Sequence, residues 1–233
     1  PSPDGLEIKL LEMFFTPQEA ELASLLRLTL ESSRQIAERT GGDPKQVRDM
    51  LKSMARRGLI NAGRIEGGLG YGLLPFVVGI YEMQVESLDG EMAQLFEGYY
   101  QQAFGDVLKI EPSVHRVIPV GESVQVDMEI RPYESAQDIV RNASAWGVVD
   151  CICRKQKALI GDPCDHPLEV CMMLNQKPGA FDNSSHIRAL SMQEALDTLN
   201  VAAEAGLVHS VSNNQRGESY ICNCCTCSCG ILR

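Results

Sequence analysis

The residues best suited to chemistry crowd one end of this chain. All nine cysteines of the 233 residues lie beyond position 150. Four sit in "CICRKQKALIGDPCDHPLEVC": Cys151, Cys153, Cys164 and Cys171, with one, ten and six residues between them. Five more crowd into "ICNCCTCSCGILR": Cys222, Cys224, Cys225, Cys227 and Cys229. Thiolates are soft donors that select iron–sulfur clusters, zinc or copper(I). A [4Fe–4S] cube takes four of them. Four plus five cysteines therefore suffice for two four-thiolate sites with one thiol left over, Cys225 or Cys227 being candidates for a small buried hydrophobe. Cys-x-Cys and Cys-Cys spacings suit a multi-iron object whose ligand points are spread over its corners, whereas zinc more often uses Cys-x2–4-Cys pairs. The spacing leans towards iron–sulfur, ahead of zinc and of a disulfide scaffold.

Other residues in the first group bear on the same chemistry. His166 is a further candidate ligand, set against the common case of a surface histidine where thiols already suffice. Arg154, Lys155 and Lys157 place positive charge beside the thiols. A thiolate-ligated cluster carries net negative charge, so such cations favour its reduced form. The alternative is a solvated basic strip.

These groups need elements to position them. Between the two cysteine groups, "SMQEALDTLNVAAEAGLVHSVSNNQRGESYI" opens with Ser191 and Glu194 as a capping box, predicting a helix to about Ala205 closed by Gly206, then a polar hairpin. Residues 148–233 thus read as a cysteine-rich iron–sulfur domain. Residues 1–75 read as a winged helix-turn-helix-like domain. There, Thr16, Pro17 and Glu19 start one helix, "SSRQIAERTGG" makes a second, and Asp43 with Pro44 starts a third with Val47, Met50, Leu51 and Met54 at helical spacing. "INAGRIEGGLGYGLLPF" then reads as a hairpin. Residues 76–147 read as a connecting region. "GIYEMQVESLDGEMAQLFEGYYQQAFG" is mostly helical, "VQVDMEI" alternates as a half-buried strand that "RVIPV" could pair with, and "YESAQDIVRNASAW" makes a helix. The fold class is α+β with a small α/β middle segment.

Composition narrows the function. A net charge of −10 argues against a general nucleic-acid coat. No apolar run is long enough for a membrane span, and "PSPDGLEIKL" lacks the pattern of a signal peptide. The expected location is the cytoplasm, with no membrane partner; structural disulfides are rare there, which again favours metal or redox chemistry. No Gly-rich dinucleotide fingerprint, P-loop or nucleophile triad is visible, and "GGLGYG" lacks the strand-to-helix context such a motif needs. An electron carrier or redox subunit fits better than a stand-alone enzyme.

Three cysteine-bearing and flanking segments, "CICRKQKALIGDPCDHPLEVC", "EALDTLNVAAEAGLVHSVSN" and "YICNCCTCSCGILR", resemble a family of anaerobe proteins described as 4Fe-4S ferredoxins or 4Fe-4S binding proteins. The likeness extends to "FTPQEAELA", "IAERTG", "MARRGLI", "YGLLPFVVGIYEMQ" and "HRVIPV", nearly the whole chain. It implies that Cys151, Cys153, Cys164 and Cys171, with most of the tail cysteines, hold iron–sulfur clusters; the thiol count suits two [4Fe–4S] cubes, with each group binding its own cluster or the two groups exchanging ligands. Two departures stand out. The spacing is not the C-x2-C-x2-C-x3-C-P run of bacterial ferredoxins, and Ser228 stands where similar proteins often carry another cysteine, so position 228 is not an essential ligand.

Three functions follow as expectations. The first is an electron-transfer protein docking on partner redox proteins. The second is a redox-sensing DNA-binding regulator. Its support is a locally basic stretch, Arg34, Arg39, Lys45, Arg48, Lys52, Arg56, Arg57 and Arg64 against Glu38, Asp43 and Asp49. Lys45 and Arg48 fall in the first turns of the helix that would read bases. The third is a zinc-stabilised interaction protein. Oligomeric state is open, a homodimer being one option.

Overall fold

The computed structural model describes residues 2–110, 115–118, 135–213 and 217–232. They form a mixed α and β fold divided into two compact units, Pro1–Tyr99 and Tyr100–Arg233. Residues 76–147 therefore contribute to both units. Among the described residues no helix is long and apolar enough to cross a membrane.

In the first unit, local capping chemistry sets the helix starts. Helix α1 spans Leu6–Phe14 and α2 spans Pro17–Ser24. At α2, the Glu19 amide donates to Thr16 Oγ1 at 3.3 Å and the Thr16 amide donates to Glu19 Oε2 at 3.0 Å, so two donors left over at the helix start are satisfied reciprocally. Glu19 is buried and also pairs with Arg57. A short strand β1 (Glu31–Ser32) leads into α3 (Ser33–Thr40), which ends at Gly41 with φ of 71°. Only a residue without Cβ adopts that left-handed cap at little cost. Asp43 then caps α4 (Pro44–Arg56), accepting from the amides of Lys45 at 3.1 Å and Gln46 at 2.8 Å. Ile36 and Ala37 of α3 and Val47, Leu51 and Met54 of α4 are buried, leaving Lys45, Arg48 and Lys52 exposed.

Strands β2 (Asn61–Ile65) and β3 (Gly68–Gly72) form an antiparallel hairpin, and β1 adds to β3, giving the order β1-β3-β2. The three helices and the hairpin expected over 15–75 are present; α1 had no counterpart in the sequence reading. Helix α5 (Gly90–Tyr99) completes the unit, with Phe96 stacked on Tyr81.

The second unit is built on one antiparallel sheet. In chain order it contains α6 (Gly105–Val107), β4 (His115–Val117), α7 (Ala136–Asn142), β5 (Ala145–Val149) and α8 (Ile152–Leu159). There follow β6 (Cys171–Asn175), β7 (Arg188–Leu190), α9 (Met192–Glu204), β8 (Val208–Ser212) and β9 (Tyr220–Cys224). The strand order is β4-β8-β9-β6-β5-β7. Helices α7 and α9 bury Ile139, Val140, Ala195 and Leu199 against Val148, Met172, Val211 and Ile221 of the sheet.

The Ser191–Glu194 capping box opens α9 and the hairpin after Gly206 is β8–β9, with Ser210 opposite Cys222. "ASAW" belongs to no helix. Ala143 is extended and Ala145 already begins β5, because the run "AWGVV" satisfies its backbone against β6 and β7 and buries Val148. "RVIPV" supplies part of β4, which pairs with β8. "VQVDMEI" lies outside the described residues.

Candidate metal centre

The sheet and α8 deliver the nine cysteines in two separate sets. Cys151 follows β5 and occupies the position before α8, with Cys153 two residues into the chain beyond it. Cys171 begins β6, opposite Val149 of β5. In β9, side chains alternate in direction, so Cys222 and Cys224 share one face and Asn223 takes the other. After β9 the chain turns, with the Cys229 amide donating to the Cys225 carbonyl at 3.0 Å, and this turn carries Cys229 back towards Cys153 and Cys224.

The result is a run of neighbouring thiols in the order Cys171, Cys151, Cys153, Cys229, Cys224, Cys222. The two ends meet electrostatically, Cys171 feeling Cys222. Continuing the β6–β9 register, which pairs Met172 with Ile221, sets those two residues level. Six thiols from three chain segments thus close a ring.

The other three cysteines form the second set with His166. The ligand atoms of Cys164, His166, Cys225 and Cys227 all lie within 4.8 Å of one another. Cys164 Sγ is 4.0 Å from Cys225 Sγ, and Cys227 Sγ is 3.6 Å from His166 Nδ1. Ser228 is buried, with its Oγ 3.4 Å from Cys164 Sγ. Cys164 and Cys225 also rest on an apolar patch of Val170, Ala202 and Leu207. This group can hold a metal ion, with six further cysteines close by in sequence and fold.

Proton sharing explains the electrostatics of the ring. Hydrogen bonds from the Cys153 and Cys171 thiols hold Cys151 well below the ordinary thiol value, with Arg154 adding to the effect. Cys153 and Cys224 bring Cys229 down to about 3 in the same way. The donors move oppositely. Cys153, Cys171 and Cys224 go up, first because each donates to a neighbouring thiolate and then because burial penalises a second charge. In the second set, burial pushes Cys225 up, but hydrogen bonds from Cys227, Arg154 and Ser228 outweigh it and leave it below its ordinary value. Cys227 is pushed up to about 11 by burial and by its thiol neighbours Cys225 and Cys164.

Arg154 stands between the sets. It is 3% exposed and has no carboxylate partner among the described residues, a rare condition for a guanidinium. Its Nη1 donates to the Asn223 carbonyl at 3.2 Å and to Cys225 Sγ at 3.7 Å, while Cys151 and Cys171 attract its charge. Its Nε has no hydrogen-bond partner among the described residues. A buried cation in this position requires negative charge nearby, and ionised thiols are the groups that supply it.

All nine sequence-predicted cysteines therefore lie in one set or the other, and the first cysteine group does not form a site of its own. Cys164 leaves Cys151, Cys153 and Cys171 to join the tail, and the tail splits between the sets. Of the three cations singled out, Arg154 points inward and Lys157 pairs with Asp162 at 2.6 Å. Asn223 was not anticipated. It is wholly buried, donating from Nδ2 to the Val170 carbonyl at 2.6 Å and bonded through Oδ1 to His209 Nδ1 at 2.5 Å. Its position between two cysteines in a period-2 strand was the available signal. No protein family, curated protein or solved structure matches the chain.

Proposed function

We propose that the chain is an iron–sulfur electron-transfer protein whose six-thiol ring holds a [4Fe–4S] cluster and which docks on partner redox proteins. The observation that carries this reading is the ring itself, six thiols drawn from α8, β6 and the β9 tail beside a buried arginine. Four thiolates satisfy a cube and two remain within reach. The six thiols come from three chain segments as a run of neighbours, which suits a ligand with separated corners rather than a single ion. Such a cluster supplies one-electron transfer. The protein's part is to bind it through thiolates, to shield it between strands and helix, and to set Arg154 where added negative charge is stabilised, which raises the potential.

Anaerobic purification with iron and sulfide counts tests the reading, together with EPR of the reduced protein. Roughly four irons and four sulfides per chain with a fast-relaxing reduced signal are expected. Protein without sulfide sinks the proposal.

The first unit favours a second reading of its own, a cluster-sensing regulator with a winged helix-turn-helix. Helices α3 and α4 joined at Gly41–Asp43 and followed by the β2–β3 hairpin support it, as does the exposed row Lys45, Arg48 and Lys52 on α4. Binding to the gene's own upstream DNA should then weaken steeply with salt. No binding at low salt removes this reading.

A further inference from the structure

We infer that Cys164, His166, Cys225 and Cys227 form a second, independent site that takes one tetrahedral divalent ion of the zinc class. The inference goes beyond the electron-transfer reading and does not need it to hold.

Geometry separates this set from the ring. A zinc–sulfur bond of about 2.3 Å in a regular tetrahedron puts neighbouring ligand atoms about 3.8 Å apart. Cys164 Sγ lies 4.0 Å from Cys225 Sγ, close to that value, and Cys227 Sγ lies 3.6 Å from His166 Nδ1, shorter as a zinc–nitrogen bond shorter than zinc–sulfur requires. All four ligand atoms fit within 4.8 Å, so a cube would have to force them apart. Three thiols and one imidazole are also a donor set that zinc takes in closed structural sites.

The surroundings fit a structural ion. Three thiolates around a divalent cation leave one net negative charge, and Arg154 Nη1 faces it through Cys225 Sγ at 3.7 Å. Ser228 supplies outer support, its hydroxyl 3.4 Å from Cys164 Sγ and its amide directed at the Cys225 thiol. The ligands come as two short pairs, Cys164-x-His166 in the loop between α8 and β6 and Cys225-x-Cys227 in the turn after β9. One ion would therefore fasten that loop to the tail. It would also fix the turn that returns Cys229 to the ring.

The full-length chain, purified anaerobically, tests this with zinc, iron and sulfide counted on one sample. About one zinc per chain is expected in addition to iron. Cys227→Ser and His166→Ala should lower zinc at least twofold, or speed its loss to a chromogenic chelator at least tenfold, with iron retained. Cys151→Ser should lower iron and leave zinc in place. Growth with cobalt in place of zinc should add the visible bands of tetrahedral cobalt–thiolate. Those bands should shift in His166→Cys, which keeps four ligands and guards against simple misfolding. Zinc at background with twice the iron of one cube overturns the inference, as does zinc unchanged in both His166→Ala and Cys227→Ser. Zinc present without iron or sulfide overturns the electron-transfer reading and leaves this one standing.

Discussion

The two units secure their structure by different means. The first unit closes on itself with ordinary interactions: an apolar interior of Leu10, Ile36, Leu51 and Met54, reciprocal caps, and the buried Glu19 carboxylate held by Arg57. The second has a comparable apolar layer under its sheet, but its last residues, from Cys225 onward, have thiols where an interior would be. Folding of the first unit rests on burial, hydrogen bonding and the Glu19–Arg57 ion pair. On the proposed function, folding of the C-terminal turn depends on what the thiols bind, because metal-site affinity is folding free energy.

Stripping metal should expose that contrast most strongly. After chelation under reducing conditions, amides of residues 225–232 should exchange at least about a hundredfold faster, on the scale of structural metal binding. Amides of α3 and α4 should keep their protection. Equal loss in both units would erase the distinction.

Substitution in the ring should come next. Cys151 touches both Cys153 and Cys171, so Cys151→Ser removes a central member and should take away most of the iron and visible absorption. Absorption at the parental level would break the ring assignment.

Arg154→Gln should have an intermediate effect. It leaves thiolates buried without their cation, which costs about 3 kcal/mol in the second unit. It should also lower the midpoint potential, because reduction adds charge that Arg154 no longer offsets. Denaturant unfolding and a redox titration check the two effects, and an unchanged potential would show that Arg154 serves packing alone.

The smallest effect belongs to the first unit. Burial pushes the Glu19 carboxyl up, but the Thr16 amide and Arg57 outweigh it and hold the folded value below that of an ordinary glutamate. A carboxylate lowered in the folded state stabilises fully above its unfolded value, and that stabilisation is lost as pH falls through the folded value. Glu19→Gln should therefore cost about 1 kcal/mol near neutral pH, a figure kept low because Arg57 is well exposed, and should flatten the acid limb. Identical acid limbs for parent and variant would remove the ion pair from the account.

Local signals carried the helix starts. Thr16 with Glu19, Asp43 with Pro44, and Ser191 with Glu194 are caps whose chemistry is complete within four residues, so they could be read directly. Helix α8 was missed because "ICRKQKAL" sits among ligand residues and carries no cap side chain, Cys151 making no capping hydrogen bond. The candidate metal centre was legible as a collection and not as a partition. Which cysteine goes where depends on β9 facing Cys222 and Cys224 one way and on the turn after it, and on a loop lifting Cys164 away from its sequence neighbours. His166 could be named from its spacing to Cys164, but only the fold brings it to Cys227.

Strand β9 follows every other described strand of its sheet in chain order, yet it lies inside the sheet between β8 and β6. A ribosome making this chain releases β4–β8 and β6–β5–β7 as two half-sheets, each with an open edge, before the strand that joins them emerges. The same residues that complete the sheet carry Cys222 and Cys224, so neither half-sheet holds the full set of six thiols before β9 emerges. A nascent chain stalled before Tyr220 would present two unpaired edges and an incomplete ligand set, the condition in which edge-to-edge association and chaperone capture are favoured.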